Sequence, residues 1–394
     1  MSSINTAYSQ LPPAFFFTRL NDTVSAYADA HPDRRLLRLG VGDVKGPLAP
    51  VIIDALHRAV DEQAQAASFH GYLPEVGTAF FREAVARHYG RWSVDVSPEE
   101  VFASSGAADD LGAIGNLFSS WARVLVVEPA YPAYVDTNVM AGRQIVYLLG
   151  TRENGFLPLP TEELDGDIVY LCSPNNPTGA AYTRSQLQRW VDWANDRQAI
   201  LIFDAAYEAF VQDGDVPRSI FELSGARTCA IEICSLSKTA GFTGMRLGYT
   251  LVPRDLVRAG LSLREMWVKD RTTRTNGVSY VLQRAGAAAL SPEGMDQCRQ
   301  AIRRYQQNGR ILSEALTRAG RWFTGGRNAP YLWLPCPEGK SGWDFFRELL
   351  EKAQIVVTPG EGFGQGGEGY VRLSCFGTRE DTEAAARGLL TVLR

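Results

Sequence analysis

Four short stretches of this chain place polar side chains where an apolar run has just ended, and their chemistries are complementary. In "CSLSKTAGFTGMRLGY", Lys238 lies between Ser237 and Thr239, just behind Ser235, and Arg246 follows eight residues later. A primary amine among hydroxyls with a guanidinium close behind suits a nucleophile beside an anion; a lysine in a glycine-rich surface loop is the alternative. In "LIFDAAYEAF", Asp204 closes an apolar run and Tyr207 follows three residues on. A carboxylate there is costly unless it meets a cation, the alternative being a helix cap. "SPNNPTG", residues 173–179, sets Asn175 and Asn176 between two prolines. This is a tight turn, expected to contain cis-proline, that can aim an amide at a ligand. A plain surface turn would explain its prolines and glycine, but not its place directly after a buried strand. In "SSGAADDLGAIGNLF", Ser105, Gly106 and Ala107 open a helix, whose free N–H groups form an anion cup or simply a cap.

Together the four stretches ask for one ligand with a phosphate, a ring nitrogen that wants a carboxylate, a phenolic oxygen that wants donors and an aldehyde that wants an amine. Pyridoxal phosphate carries all four groups. Asp204 would keep the ring nitrogen protonated, and so keep the ring an electron sink. Asn176 and Tyr207 would hydrogen-bond the ring hydroxyl. Lys238 would form the Schiff base, its pKa lowered by burial and cationic neighbours. Arg246, Ser235, Ser237 and the helix start at Ala107 and Ala108 would bind the phosphate. Tyr131, in "EPAYPAY" at another strand end, is placed to stack on the ring or to serve as an ordinary core aromatic.

These side chains need a rigid frame. "VIIDALHRAVDEQAQ" and "TAFFREAVARHYG" repeat apolar residues at three- and four-residue spacing and read as helices. "RVLVVEP", "DIVYLCSP", "AILIFDAAY" and "CAIEICSLS" are β-branched apolar runs of strand length, suited to burial on both faces of a mostly parallel sheet. "TRSQLQRWVDWANDRQ" between them opens on a Thr/Ser cap and reads as a helix. The alternation predicts an α/β fold with helices on both faces of the sheet, whose ligands sit beyond the carboxyl ends of the strands. After residue 290 a long helix, a short strand, the helix "SGWDFFRELLEKAQ" and the strand "EGYVRLSCFG" predict a smaller α+β unit. The expected division is an N-terminal arm contributing to the small domain over 1–49, a large cofactor-binding domain over 50–290 and a C-terminal small domain over 291–394.

At 394 residues with 45% hydrophobic and 21% charged content, the chain is long enough for two domains with a sizeable core. A formal net charge of −4 gives no reason to expect nucleic acid or an anionic membrane as partner. The six cysteines have no paired spacing, which argues against a disulfide framework or a metal site and for a reducing compartment. The first residues lack a basic segment leading into an apolar one, and no apolar run approaches spanning length. A cytoplasmic enzyme is expected.

The chain resembles the fold-type-I pyridoxal-phosphate aminotransferases, and among them the LL-diaminopimelate aminotransferase family. The blocks that carry the resemblance run in order along nearly the whole chain: "LRLGVGDVKGPLAP", "HGYLPEVG", "EPAYPAYVDTNVMAG", "CSPNNPTGAAYTRSQL", "PRSIFELSGA", "SLSKTAGFTGMRLGYTLVP", "NAPYLWL", "TPGEGFG" and "VRLSCFGTRE". The resemblance implies a homodimer with shared active sites, Tyr72 and Asn276 reaching the partner's site. It implies that Arg372 clamps the substrate α-carboxylate, with Gly42 and Asn176 beside it, and that Lys238 removes the Cα proton. Substrates would be an L-amino acid and a keto acid or other acceptor.

Several substrate-facing blocks depart from the family's pattern. Phe15 stands where a tyrosine is usual, Lys45 where a small hydroxyl residue is common, Leu73 and Val76 replace a glycine and a glutamine, and Ala108 replaces a polar residue. These changes predict a specialised substrate other than LL-diaminopimelate. Two further readings are a γ-elimination or replacement on a substrate such as S-adenosylmethionine, and a cofactor-bound regulatory module. An intact Lys238, Asp204 and Arg372 counts against the last.

Overall fold

A computed structural model describes residues 3–12 and 16–393. Its centre is a seven-stranded sheet in the order Val101–Ser104, Gly248–Leu251, Ala230–Ser235, Ile200–Asp204, Ile168–Cys172, Val124–Glu128, Ile145–Leu149. Gly248–Leu251 runs antiparallel to both neighbours, and the other six strands share one direction. The four apolar runs read as strands are strands, and three of them are buried along their whole length. Their residues alternate between two cores, as the pleat requires. Val169 and Leu171 join Trp190 and Leu187 on one face, while Ile168, Tyr170 and Cys172 join Trp267 and Leu111 on the other. Helix Arg184–Arg197 begins at a capping box in which Thr183 and Gln186 satisfy each other's backbone N–H groups.

The sequence pattern does not mark Gly248–Leu251 as antiparallel, because a strand buried along its whole length carries no signal of the direction in which it runs. Its consequence is local. Cα pairing of Gly248 with both Ser235 and Ser104 brings the residues just before it, Arg246 included, to the edge where the parallel strands end.

The second unit holds a four-stranded antiparallel sheet in the order Thr324–Gly325, Tyr331–Pro335, Tyr370–Ser374, Thr358–Pro359. Helices Gly342–Ala353 and Arg379–Val392 pack with it, as does the far end of helix Pro292–Arg318. The N-terminal segment joins that core through Leu20, Val24, Leu37 and Leu39, and Leu37–Arg38 pairs in parallel with Ile355–Val356. Among the described residues no helix is long and apolar enough to cross a membrane, and no cluster of His, Cys, Asp and Glu is arranged to hold a metal.

Candidate active site

A cavity of about 370 Å³ lies beyond the carboxyl ends of the central strands, closed from the other side by the smaller sheet. Asp204, the last residue of its strand, lines it and is buried. Its Oδ2 accepts from the Tyr134 hydroxyl at 2.6 Å and its Oδ1 from the Ala206 N–H at 2.9 Å. Burial pushes its pKa up, against the pull of those two donors. Beside it, the Tyr207 hydroxyl is 3.0 Å from that of Tyr331, and the Tyr131 ring forms part of the wall. The proline turn is as the sequence suggested, with cis bonds at Ser173–Pro174 and Asn176–Pro177, and it delivers Asn176 into the cavity.

At one end the wall becomes an anion cradle. Helix Ala107–Ile114 starts at Gly106, whose φ of 112° no side chain favours, and no side chain caps it. The first N–H groups of a helix have no acceptor within it, so those of Ala107 and Ala108, two residues of the cavity wall, are left free of helix partners. Arg246 comes over this helix start: a Cβ on Gly106 would lie 3.0 Å from its Nη2. Its Nη1 donates to the Thr243 carbonyl at 3.0 Å and to Ser237 Oγ at 3.4 Å. Ser235 Oγ accepts from the Ser237 N–H at 3.1 Å, which opens the short helix Leu236–Thr239. Two hydroxyls, a guanidinium and free N–H groups on one concave surface are chemistry for a phosphate.

Lys238 follows Ser237 in that same short helix. Its Nζ donates to the Gly42 carbonyl. Burial, reinforced by the charges of Arg372 and Arg246 and opposed by Asp43, lowers its pKa to about 8. Arg372 projects from the smaller sheet and is only 2% exposed. Nη1 donates to Asn176 Oδ1 at 2.6 Å and Nη2 to the Gly40 carbonyl at 2.7 Å. Its guanidinium lies 4.5 Å from the Tyr331 ring centre and 4.8 Å from that of Phe363. Among the described residues no carboxylate pairs with it, and its Nε is buried without a partner. A buried cation so arranged is ready for a carboxylate from outside the chain.

The cavity therefore brings together Gly42, Ala107, Ala108, Tyr131, Asn176, Asp204, Tyr207, Ser235, Ser237, Lys238, Arg246 and Arg372. It does not include Tyr72, which is 91% exposed, or Asn276, also exposed. Those two sit on adjoining loops, since a Cβ on Gly277 would meet Pro74 and Glu75. Leu73 and Val76 are also outside the wall, and Lys45 lines a neighbouring cavity instead. Phe15 lies outside the described residues. Sequence reasoning missed Tyr134 and Tyr331. For Tyr134 the signal was the second tyrosine of "AYPAY"; for Tyr331 it was the aromatic in "NAPYLWL".

The arrangement fits pyridoxal phosphate, with the carboxylate, the cradle and the amine in one cavity together with a guanidinium that has no carboxylate partner among the described residues. The sequence matches the family of class I and II aminotransferases over residues 34–389. The chain belongs to that family, whose members depend on pyridoxal phosphate, and it has the fold-type-I architecture. It is 48% identical to the LL-diaminopimelate aminotransferase of Lachnospira eligens and 47% identical to that of Agathobacter rectalis, with 98% of each chain covered in both cases. Among solved structures, the LL-diaminopimelate aminotransferase from Chlamydomonas reinhardtii superposes with a TM-score of 0.94 at 39% identity, covering 100% of this chain and 99% of that one. The enzyme is an aminotransferase resembling these proteins.

Proposed function

We propose that the enzyme transfers the amino group of an L-α-amino acid whose far end is not the ammonium–carboxylate pair of LL-diaminopimelate, in a specialised biosynthetic role. The observation that carries the amino-acid reading is Arg372: buried, without a carboxylate partner among the described residues, and lining the same cavity as Lys238. It binds the α-carboxylate, with Asn176 and the Gly42 backbone on either side. Lys238 Nζ takes and returns the Cα proton, and a pKa lowered to about 8 raises the share in the neutral, proton-accepting form close to neutral pH far above that of an ordinary lysine. Asp204 would hold the proton on the ring nitrogen, and Asn176 and Tyr207 would orient the ring hydroxyl. The bound cofactor supplies an electron sink for the charge left at Cα. Tyr72 and Asn276, exposed on adjoining loops, serve the site of the partner subunit in a homodimer.

The substrate reading rests on what remains of the wall. Once the cofactor and α-carboxylate groups are assigned, Asp43 is the remaining charged residue, beside Phe17 and Val41. Asp43 can meet an ammonium, but among the described residues a distal carboxylate finds no second cation on that wall. Leaving a charged group unpaired costs about 1–3 kcal/mol or more. The 48% identity to a protein named for LL-diaminopimelate favours that compound as the second reading. The relatives named above are aminotransferases, so amino transfer is preferred over γ-elimination. Mixing holoenzyme with single L-amino acids and following the cofactor's absorbance separates the two substrates. The proposal expects a fast response to a bulky, partly apolar L-amino acid and a weak one to LL-diaminopimelate. Efficient amino transfer from LL-diaminopimelate to 2-oxoglutarate contradicts it.

A further inference from the structure

Across Lys238 from the active site lies a second and larger cavity, of about 620 Å³. Its walls are the loop 44–50, the segment 238–241 and the early turns of helix Pro292–Arg318. The volume is in the range of sites for molecules larger than an amino acid. One side is apolar, formed by Val44, Pro47, Leu48 and the proline and alanine that follow. Lys45 comes from that same loop and Arg304 from the helix facing it, Lys238 is the third cation of the lining, and among the described residues no aspartate or glutamate lines the cavity.

The two cations are weakly committed. Arg304 has no ion pair or hydrogen bond among the described residues, whereas its helix neighbours Arg299 and Arg310 bond to Asp296 and Gln212. Lys45 meets only Asp43, at 3.4 Å with both side chains about half exposed, a pairing worth little in water. The loop and the helix that carry the two cations are nevertheless held together. The Tyr305 hydroxyl donates to the Lys45 carbonyl, tying the loop to the helix. A Cβ on Gly46 would lie 3.8 Å from Arg304 Nη2, so the guanidinium lies against that loop. The Gln300 side chain, on the helix wall with Arg304, has no partner among the described residues. Two cations and an amide beside an apolar loop, with Asp43 outside the lining as their one acidic neighbour, suit an anion attached to an apolar body.

We infer that this cavity is a second ligand site, for an organic molecule with an apolar body and an oxyanion tail, phosphate or carboxylate, held by Arg304 and Lys45 while its other end approaches Lys238. The inference rests on the reading above that Lys238 serves an L-amino acid, and it enlarges the substrate set to one bulky anionic partner.

Calorimetric titration of the holoenzyme with phenyl phosphate and with 3-phenylpropionate tests it. At least one probe should bind the wild type, weaken tenfold or more in Arg304→Glu, and bind Arg372→Lys within about twofold of wild type. The tighter probe identifies the tail as phosphate or carboxylate. Gln300→Glu places a repelling charge on the same wall and should act in the same direction if Arg304→Glu does not fold. No binding by the wild type, equal binding by the Arg304 and Gln300 variants, or loss confined to Arg372→Lys overturns the inference. The underlying reading is checked separately by the wild type's absorbance response to L-amino acids. A normal response without probe binding overturns the second site alone, whereas probe binding without any response overturns the amino-acid reading on which its role as a partner site depends.

Discussion

Replacing Arg372 by lysine keeps the positive charge and removes the planar fork. The arginine holds three neighbours at once, Asn176 at 2.6 Å, the Gly40 carbonyl at 2.7 Å and Thr358 at 3.4 Å, while stacked between Tyr331 and Phe363. A lysine ammonium cannot present two parallel donors to a carboxylate, so one charge-assisted hydrogen bond is lost, worth about 1.5–3 kcal/mol. Part of the stacking goes with it, about 0.5–1 kcal/mol. The sum, roughly 2–4 kcal/mol, is a loss of about 30- to 1,000-fold in affinity for the amino acid at 1.4 kcal/mol per factor of ten. The assay is kcat/KM for the best amino donor, with the cofactor dissociation constant measured alongside. The cofactor constant should not change, because Arg372 makes none of its hydrogen bonds to Ala107, Ala108, Ser235, Ser237 or Arg246 of the phosphate cradle. A KM within threefold of wild type refutes the reasoning, as does a wild-type enzyme that binds decarboxylated amines as tightly as amino acids.

Asp204→Asn should fold and bind cofactor but lose roughly 100-fold or more in kcat, the usual scale for removing a preorganised group that stabilises developing charge; near-normal turnover would make this carboxylate structural. Gly106→Ala strains a φ of 112° and pushes a Cβ to 3.0 Å from Arg246 Nη2. It should raise the cofactor dissociation constant about tenfold, with activity recovered by excess pyridoxal phosphate, and an unchanged constant would remove Arg246 from the cradle. In the apoenzyme, only the neutral amine of Lys238 can capture the cofactor aldehyde. A pKa lowered to about 8 leaves that amine protonated below pH 8 and neutral above it. The capture rate should therefore climb with pH up to about 8 and then level; a rate still climbing past pH 10 would show that burial does not depress this lysine.

The site was legible where chemistry and strand geometry coincide. A charged or amide residue that closes an apolar run must lie at the carboxyl edge of the sheet, so Asp204, Asn176 and Lys238 could be placed together without knowing any long-range contact. Arg246 was legible by type and nearness to Lys238, though the antiparallel strand that returns it to the cradle was not. Tyr134 and Tyr331 were hidden for a different reason. Which tyrosine of "AYPAY" reaches Asp204 depends on the rotation of the turn before helix Ala133–Met140, and Tyr331 meets Tyr207 across 124 residues of chain. Lys45 shows the limit of reading position by position. It stands three residues from Gly42, yet the loop carries it past Lys238 into the neighbouring cavity.

The account depends most on Lys238 as the residue that holds the cofactor. Holoenzyme reduced with borohydride, digested and analysed by mass spectrometry should carry one phosphopyridoxyl group, on the peptide containing Lys238, and Lys238→Ala treated in the same way should carry none. A label on any other lysine, or an active holoenzyme with no reducible link, would contradict it.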